Sequence, residues 1–166
     1  SVRDRLAGIG ALCPEDARVL GLVGVPARAC GLDLDARFHV PLSELPVGDH
    51  GPRRERGGDV LARALVRSHE LDDSLALLRG GLARLETPAV SALSWPPRLP
   101  ARKLAVAQVE GWRGEICHLA VTGTNGEPLV CKIVDPSFHN WPGLALAMRG
   151  GQISDFPLCN KSFNLS

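Results

Sequence analysis

The sequence lacks a hydrophobic run long enough to cross a membrane. Its longest stretch without a charged residue, from Pro136 to Met148, covers roughly 13 residues and contains a histidine and two prolines. A spanning helix needs about 20 mostly apolar residues. Lys plus Arg number 19 and Asp plus Glu number 18, giving a net charge of +1. A nucleic-acid binder usually needs a clear basic excess, so we expect no nucleic-acid partner, and any link to a membrane must come through partner proteins.

Closely spaced cysteines are also missing. The five cysteines fall at positions 13, 30, 117, 131 and 159, an odd number without a C-x-x-C pair. Zinc and iron–sulfur ligands on one loop usually come as such pairs, and secreted disulfide frameworks usually have an even count. We expect mostly buried free thiols in a reducing, cytoplasmic compartment and no metal site. Cys117 and Cys131 lie on neighbouring predicted strands and could face each other.

Helices are expected in the first half of the chain. Residues 1–37 read as short helical pieces, of which one starts at Pro14. A long helix is predicted over about residues 59 to 86, with Asp59 as its N-cap. Its apolar stripe is predicted to form the core of a helical bundle: Leu61, Ala64, Ser68, Leu71, Leu75, Leu78, Leu82 and Leu85.

The second half of the chain changes to a strand pattern. Residues 103–109, 116–122 and 129–134 are rich in β-branched side chains, and Asn125-Gly126 between the last two is a strong hairpin signal. A short helix is expected within residues 136–151, where Ser137 could be the cap. The order predicts an α+β fold in a single domain over residues 1–166, with a helical part at 1–86 and a small antiparallel sheet with a short helix within 102–166.

Three polar groupings stand out, of which the third, Asp135–Trp141, shows no nucleophile–base pair that spacing alone can establish. The other two are candidate functional sites. On the long helix, Asp59, Arg63, Arg67 and Glu70 are spaced to lie near one face. They form either surface ion pairs or a charged stripe that is buried against a partner or lines a polar path. Between the first two strands, Glu110, Arg113, Glu115 and His118 lie on or near a tight Gly-bracketed turn. They either bond their own neighbours or relay protons and clamp an anion.

Four segments, in order, carry a resemblance to a known family. They are Leu12–Ala17 with Gly24–Asp33, Gly58–Arg63 with Val66, Arg67 and Glu70, Glu110–Gly114 with His118, and Pro136, Ser137 and Asn140 with Gly150–Pro157. The chain resembles the C-terminal half of the large subunit of energy-converting nickel–iron hydrogenases. It also resembles their relative, the quinone-module large subunit of respiratory complex I, the NADH-quinone oxidoreductase.

The resemblance implies a membrane-associated redox complex. The implied partners are an iron–sulfur small subunit and membrane-arm subunits, so iron–sulfur clusters are expected in a partner and quinone could bind in the parent complex. The chain itself is expected to hold no cofactor, and to lie peripherally on the inner face of the cell membrane. Electron transfer in such a complex is coupled to quinone or proton chemistry.

The sequence also departs from the family at the metal and quinone positions. Aligned on the closing segment, Asn164-Leu165-Ser166 stands where the family has Asp-Pro-Cys, so a serine replaces the first nickel-ligand cysteine of the C-terminal pair. A hydroxyl is a poor ligand for nickel. Cys159 lies seven residues too early to substitute. Val40-Pro41-Leu42 stands where the family often has His-Pro-Tyr, and the chain contains no tyrosine.

Two functions remain open from the sequence. The first is an oxidoreductase subunit of the NADH dehydrogenase or hydrogenase type, with no turnover expected from this chain alone. Its candidate residues are Glu110, Arg113, Glu115, His118, Asp59 and Arg63. In this interpretation Arg113 orders the acids, and His118 or Glu110 exchanges a proton. The second is a non-catalytic scaffold that keeps the large-subunit fold without the metal site.

Overall fold

A computed structural model describes residues 1–40, 51–84 and 98–166. Its elements confirm the α+β class. The helices of the first half are α1 (Val2–Leu6), α2 (Pro14–Val19), α3 (Gly24–Ala29), α4 (Ala36–His39) and α5 (Val60–Arg84). The strands are β1 (Leu104–Gly111), β2 (Gly114–Thr122) and β3 (Pro128–Val134), followed by α6 (Pro136–Ala147), a 3-10 turn (Ile153–Asp155) and α7 (Phe156–Phe163).

Two helix starts follow the sequence signals closely. Asp59 caps α5 as predicted, since its Oδ1 accepts a hydrogen bond from the backbone N–H of Ala62 at 2.7 Å. Pro14 occupies the first turn of α2, where its missing N–H costs nothing. The Cys13 thiol caps that helix in a reciprocal pair with Asp16. Of the predicted helix over 59–86, the described part is confirmed, and residues 85 and 86 lie outside the described residues.

The sheet is a three-stranded antiparallel meander in the order β1-β2-β3, as predicted. Gly126 has φ 79° in the hairpin between β2 and β3, a conformation that favours glycine. The expectation that Cys117 and Cys131 face each other is wrong. Cys117 pairs with Val134, and Cys131 pairs with Ala120, because the hairpin register offsets the two cysteines.

The C-terminal segment is more helical than its sequence pattern indicates. Asp135, rather than Ser137, caps α6, because its Oδ1 accepts from the backbone N–H of Ser137 at 2.7 Å. The sequence pattern does not predict helix α7, since eight residues are too few to show a clear period. This helix packs against α5 and α6 and buries Cys159 and Phe163 in the main core.

The buried face of α5 is not the one that the leucine pattern predicts. Val60, Ala62, Arg63 and Val66 are buried against α3 and α7. Four leucines of the predicted bundle-core stripe are exposed instead, with exposed fractions of 52% for Leu71, 42% for Leu75, 63% for Leu78 and 67% for Leu82. The period of a pattern fixes which residues share a face, but not which face meets the rest of the chain. No helix among the described residues combines the length and apolarity of a membrane span.

Two glycines bring the helical part and the sheet into backbone contact. Gly24, at the start of α3, has φ +64°, and a Cβ added there would lie 2.3 Å from the Cα of Gly114. Gly114 opens β2 next to Arg113, so the contact sets the position of the β1–β2 turn against α3. Only a residue without a side chain fits at this approach.

This contact predicts a large cost for adding a methyl group at Gly24. We expect Gly24→Ala to lower the free energy of unfolding by at least about 2 kcal/mol, because the backbone of the turn must move and φ is strained. Gly81→Ala in α5 is the matched control, since nothing lies within 4 Å of its added Cβ. The control should stabilise the chain by about 0.5–1 kcal/mol through helix propensity. Urea unfolding of both variants tests this, and an equal effect of the two would contradict it.

Candidate functional site

The first polar centre is a largely buried set of five charged side chains that we call the Arg28 cluster. Its members are Arg28, Asp35, Arg37, Glu70 and Glu110. Arg28 donates from Nε to Glu70 Oε1 at 2.7 Å and from Nη1 to Glu110 Oε1 at 2.8 Å. Its Nη1 also reaches the Leu34 carbonyl at 2.8 Å. The cluster therefore ties α3, α5 and β1 to the segment before α4.

The geometry of the cluster explains the pKa shifts of its members. Burial alone would lower the pKa of Arg28, but Glu110, Glu70 and Asp35 together raise it above its ordinary value. Burial raises the pKa of Glu110 in spite of the Arg28 guanidinium beside it. Asp35 is also desolvated, yet its hydrogen bonds with Arg37 and the charge of Arg28 hold the pKa of that carboxyl below its usual range. Glu110 therefore takes up a proton more readily than Asp35.

The second polar centre surrounds Arg63, which is fully buried. Its guanidinium donates to Ser162 Oγ at 2.8 Å and to the carbonyls of Gly58 at 2.7 Å and Gly10 at 3.1 Å. Its Cζ lies 4.4 Å above the centroid of the Phe163 ring, a cation–π geometry. Because these acceptors are neutral, burial dominates and lowers the pKa of Arg63. Arg63 thus fastens α7 to the N-terminal segment.

The third polar centre is the C-terminal segment, which two further arginines hold. Arg67 donates from Nη2 to the Phe163 carbonyl at 3.2 Å, and Arg113 donates from Nε to the Asn164 carbonyl. Arg67 also lies 5.5 Å from the centroid of the Trp112 ring. Burial lowers the pKa of Arg67 to about 10. Its Nη1 is buried without a hydrogen-bond partner among the residues that the structure describes.

Helix α6 fixes the turn that carries Arg113. Asn140 is fully buried, and its Oδ1 accepts from the Val23 N–H at 3.1 Å. Its Nδ2 donates to the Arg113 carbonyl at 3.4 Å. One turn earlier, Ser137 Oγ lies 3.1 Å from Ser166 Oγ and accepts from the Ser166 N–H. The buried face of α6 therefore holds both the Arg113 turn and the end of the chain.

The six sequence-predicted residues do not form one site. Glu110 joins the Arg28 cluster, Arg63 has its own centre, and Arg113 donates to the Asn164 carbonyl in the C-terminal segment. Asp59 accepts from the N–H groups of Gly8 and Ala62. Glu115 is half-buried opposite Glu110 in the β1–β2 register. His118 is exposed on the sheet, where it pairs with Ala107 and Ile133.

Sequence reasoning misses the centre of the best-formed cluster. Arg28 enters it only as part of a resembling segment, and no motif singles out Asp35 or Arg37. The signal that could have found Arg28 is its place inside an otherwise apolar helix, Gly24–Ala29, whose residues are all buried. A charged residue there has to be paired, because burying an isolated charge is costly.

The residues at the end of the chain do not fit as nickel ligands. Ser166 Oγ lies in hydrogen-bond distance of Ser137 Oγ, and a hydroxyl is a hard ligand where nickel prefers thiolate. Cys159 is buried beside a cleft of about 710 Å³ between residues 8–11 and 146–153, and burial raises the pKa of its thiol. Over the described ranges, three or more His, Cys, Asp or Glu side chains are nowhere grouped to hold a metal ion.

The Arg28 cluster predicts a strong dependence of stability on its central cation. We expect Arg28→Met to lower the free energy of unfolding by about 3–5 kcal/mol, because the buried carboxylates of Glu70 and Glu110 lose their main partner. The matched control is Arg54→Ala, which removes an exposed pair with Asp33 at 3.2 Å and should cost at most about 1 kcal/mol. Denaturant unfolding measures both. A loss below about 1 kcal/mol for Arg28→Met would contradict the central role of that residue.

Comparisons with known proteins bear on the whole chain. The family described as "Respiratory-chain NADH dehydrogenase, 49 Kd subunit" matches residues 1–104 and 90–166. The carbon monoxide-induced hydrogenase of Rhodospirillum rubrum is 34% identical over 99% of this chain and 45% of its own length. An NADH-quinone oxidoreductase subunit of Syntrophobacter fumaroxidans is 33% identical over 91% of this chain and 41% of its own length.

A solved structure shares the fold. It is the membrane-bound sulfane sulfur reductase, an archaeal respiratory membrane complex, one chain of which matches with a TM-score of 0.87 and 26% identity. The match covers 98% of this chain and 46% of that one, so the chain spans less than half the length of these relatives. The resemblance seen in the sequence is confirmed, and the chain belongs to the family of the 49 Kd subunit of respiratory-chain NADH dehydrogenase.

Proposed function

We propose that this chain is part of the large subunit of a membrane-associated redox complex of the NADH-quinone oxidoreductase or hydrogenase type. The observation that carries the proposal is that similarity runs along nearly the whole chain. The relatives named as a hydrogenase and as a quinone oxidoreductase subunit match 99% and 91% of it. The matching solved structure is described as a respiratory membrane complex.

The buried polar centres support the proposal at the level of residues. The segments that carry the resemblance supply Arg28, Arg63, Glu70, Glu110 and Arg113, and these residues make the contacts that join the helical part, the sheet and α7. A chain that kept only the outline of the fold could fill these positions with apolar side chains at little cost or with a gain in stability. Charged side chains at these buried positions are expected in a subunit that transfers electrons or protons.

The proposed partners supply the electron-transfer groups. We infer an iron–sulfur small subunit and membrane-arm subunits, with peripheral attachment at the cytoplasmic side of the membrane. The iron–sulfur clusters would lie in the partner, and quinone is one candidate acceptor in the parent complex. This chain contributes fixed polar side chains. It contributes no nickel site in this proposal, because residues 164–166 do not suit nickel.

The roles proposed for individual residues follow their contacts. Arg113 holds the Asn164 carbonyl and is itself held through its own carbonyl by Asn140, so it fixes the C-terminal segment against the β1–β2 turn. Of the two candidates for proton exchange, Glu110 has the better-formed surroundings. It is buried among ionisable groups, whereas His118 is exposed on the sheet.

A scaffold without chemistry is the second candidate function. The observation that favours it is the serine at position 166, where the resembling hydrogenases have a cysteine ligand. Both functions predict assembly with partner subunits. They differ in whether substitutions at the polar centres change turnover or only assembly.

Affinity purification of the full-length parent protein from native membranes tests the proposed complex. Mass spectrometry should identify an iron–sulfur small subunit and membrane-arm subunits at amounts close to that of the parent. The matched control is the same purification from untagged membranes. Recovery of the parent alone would reject the redox complex.

Substitution of Arg113 separates the redox subunit from the scaffold. In the purified complex, Arg113→Ala should lower turnover at least about tenfold, since the C-terminal segment loses the contact that positions it and small displacements of positioned groups cost about that much or more. Recovery of partner subunits should fall much less. Arg113→Lys, which keeps the charge, should retain part of the activity. Equal losses of turnover and assembly in Arg113→Ala would leave only the structural role.

A further inference from the structure

Within the Arg28 cluster, three carboxylates share two guanidinium groups. Arg28 and Arg37 face Asp35, Glu70 and Glu110, and Arg67, outside the cluster, interacts with Glu70. The Asp35 side chain is fully buried, and those of Glu110 and Glu70 are 4% and 12% exposed. Glu110 shares Arg28 with the other two carboxylates. Burial of a carboxylate that shares its cation is unfavourable, and uptake of a proton removes that cost.

Glu110 differs from the other two carboxylates in what it contacts. Its Oε1 accepts from Arg28 Nη1 at 2.8 Å, and its Oε2 accepts from the backbone N–H of Ala36 at 3.1 Å. Ala36 is the first residue of α4, so its N–H is one of the donors that a helix start leaves without an internal partner. Glu110, on β1, therefore binds α4 through a single backbone hydrogen bond.

We propose that Glu110 is a proton-binding site whose occupancy controls the attachment of α4 to β1. A proton taken from solvent forms an O–H bond at Oε2, which then no longer accepts from Ala36. Oε1 keeps its charge-assisted bond to Arg28, the stronger of the two contacts. Proton uptake leaves the five side chains with no net charge and frees the first turn of α4.

The groups that face Glu110 from each packed element favour this assignment. Arg28 faces it from α3, Asp35 and Arg37 from the start of α4, and Glu70 from α5. On β2, the half-buried Glu115 is its partner in the strand register. Asp35 is held as an anion, since Arg37 donates to it from its side chain and its backbone. Glu70 shares Oε1 between Arg28 and Arg37 and is the more exposed of the two glutamates.

A further observation supports Glu110 as the site. Burial raises the pKa of Glu110, and Asp35 nearby adds to that effect. The proposal concerns the chain by itself and does not depend on the redox complex, although a redox subunit coupled to protons would have a use for it.

The test is a pH titration of this chain by NMR, from about pH 4 to about pH 8. The side-chain carboxyl carbon of Glu110 should titrate with a midpoint clearly above the usual glutamate value of about 4.3. The Ala36 amide should follow with the same midpoint. After correction for intrinsic exchange, hydrogen exchange at Ala36 should become about tenfold faster in the protonated state.

Two variants complete the experiment. Glu110→Gln should abolish the inflection at Ala36, whereas Glu115→Gln, on the partner strand opposite, should leave it in place. The proposal is overturned if the inflection persists in Glu110→Gln. It is also overturned if the Glu110 carboxyl carbon in the unsubstituted chain titrates at or below the usual value. The second result stands even where Glu110→Gln fails to fold.

Discussion

A single buried guanidinium, that of Arg28, joins the parts of the chain that carry its polar residues. It contacts Glu70 on α5, Glu110 on β1 and the Leu34 carbonyl ahead of α4. Burying a cation this deeply is costly, and the charge-assisted bonds offset that cost only while every partner is in place. The relative positions of α3, α5 and β1 are therefore tied to one another. Arg63 has the same fastening role at α7, but with neutral acceptors.

The orientation of α5 is what makes this arrangement available. Arg63, Arg67 and Glu70 share the inward face of that helix. Arg63 and Arg67 both reach α7, at Ser162 and at the Phe163 carbonyl, and Glu70 reaches Arg28 on α3. The apolar stripe on the other face, including Leu75 and Leu82, is exposed. The charged side of α5 therefore faces inward, where its side chains join α3 and α7.

Local signals in the sequence were enough for most elements but not for the site. Asp59, Pro14 and the Asn125-Gly126 pair each act within a few residues, so they predicted helix starts and a hairpin correctly. The face of α5 that is buried, and the meeting of Arg28 with Glu110 across 82 positions, depend on tertiary packing. Spacing along one helix correctly placed Arg63 and Glu70 on one face. Proximity in the sequence did not show that Glu110, Arg113 and His118 lie in different surroundings, because that depends on the fold.

A double-mutant cycle on Arg28 and Glu110 tests most directly whether one buried contact holds the chain together. The free energy of unfolding would be measured for Arg28→Met, Glu110→Gln and the double variant by urea titration. The loss in the double variant should differ from the sum of the two single-variant losses by at least about 1.5 kcal/mol, as expected for direct partners in a buried network. Losses that add to within about 0.5 kcal/mol would show that the two side chains act independently and would contradict this prediction.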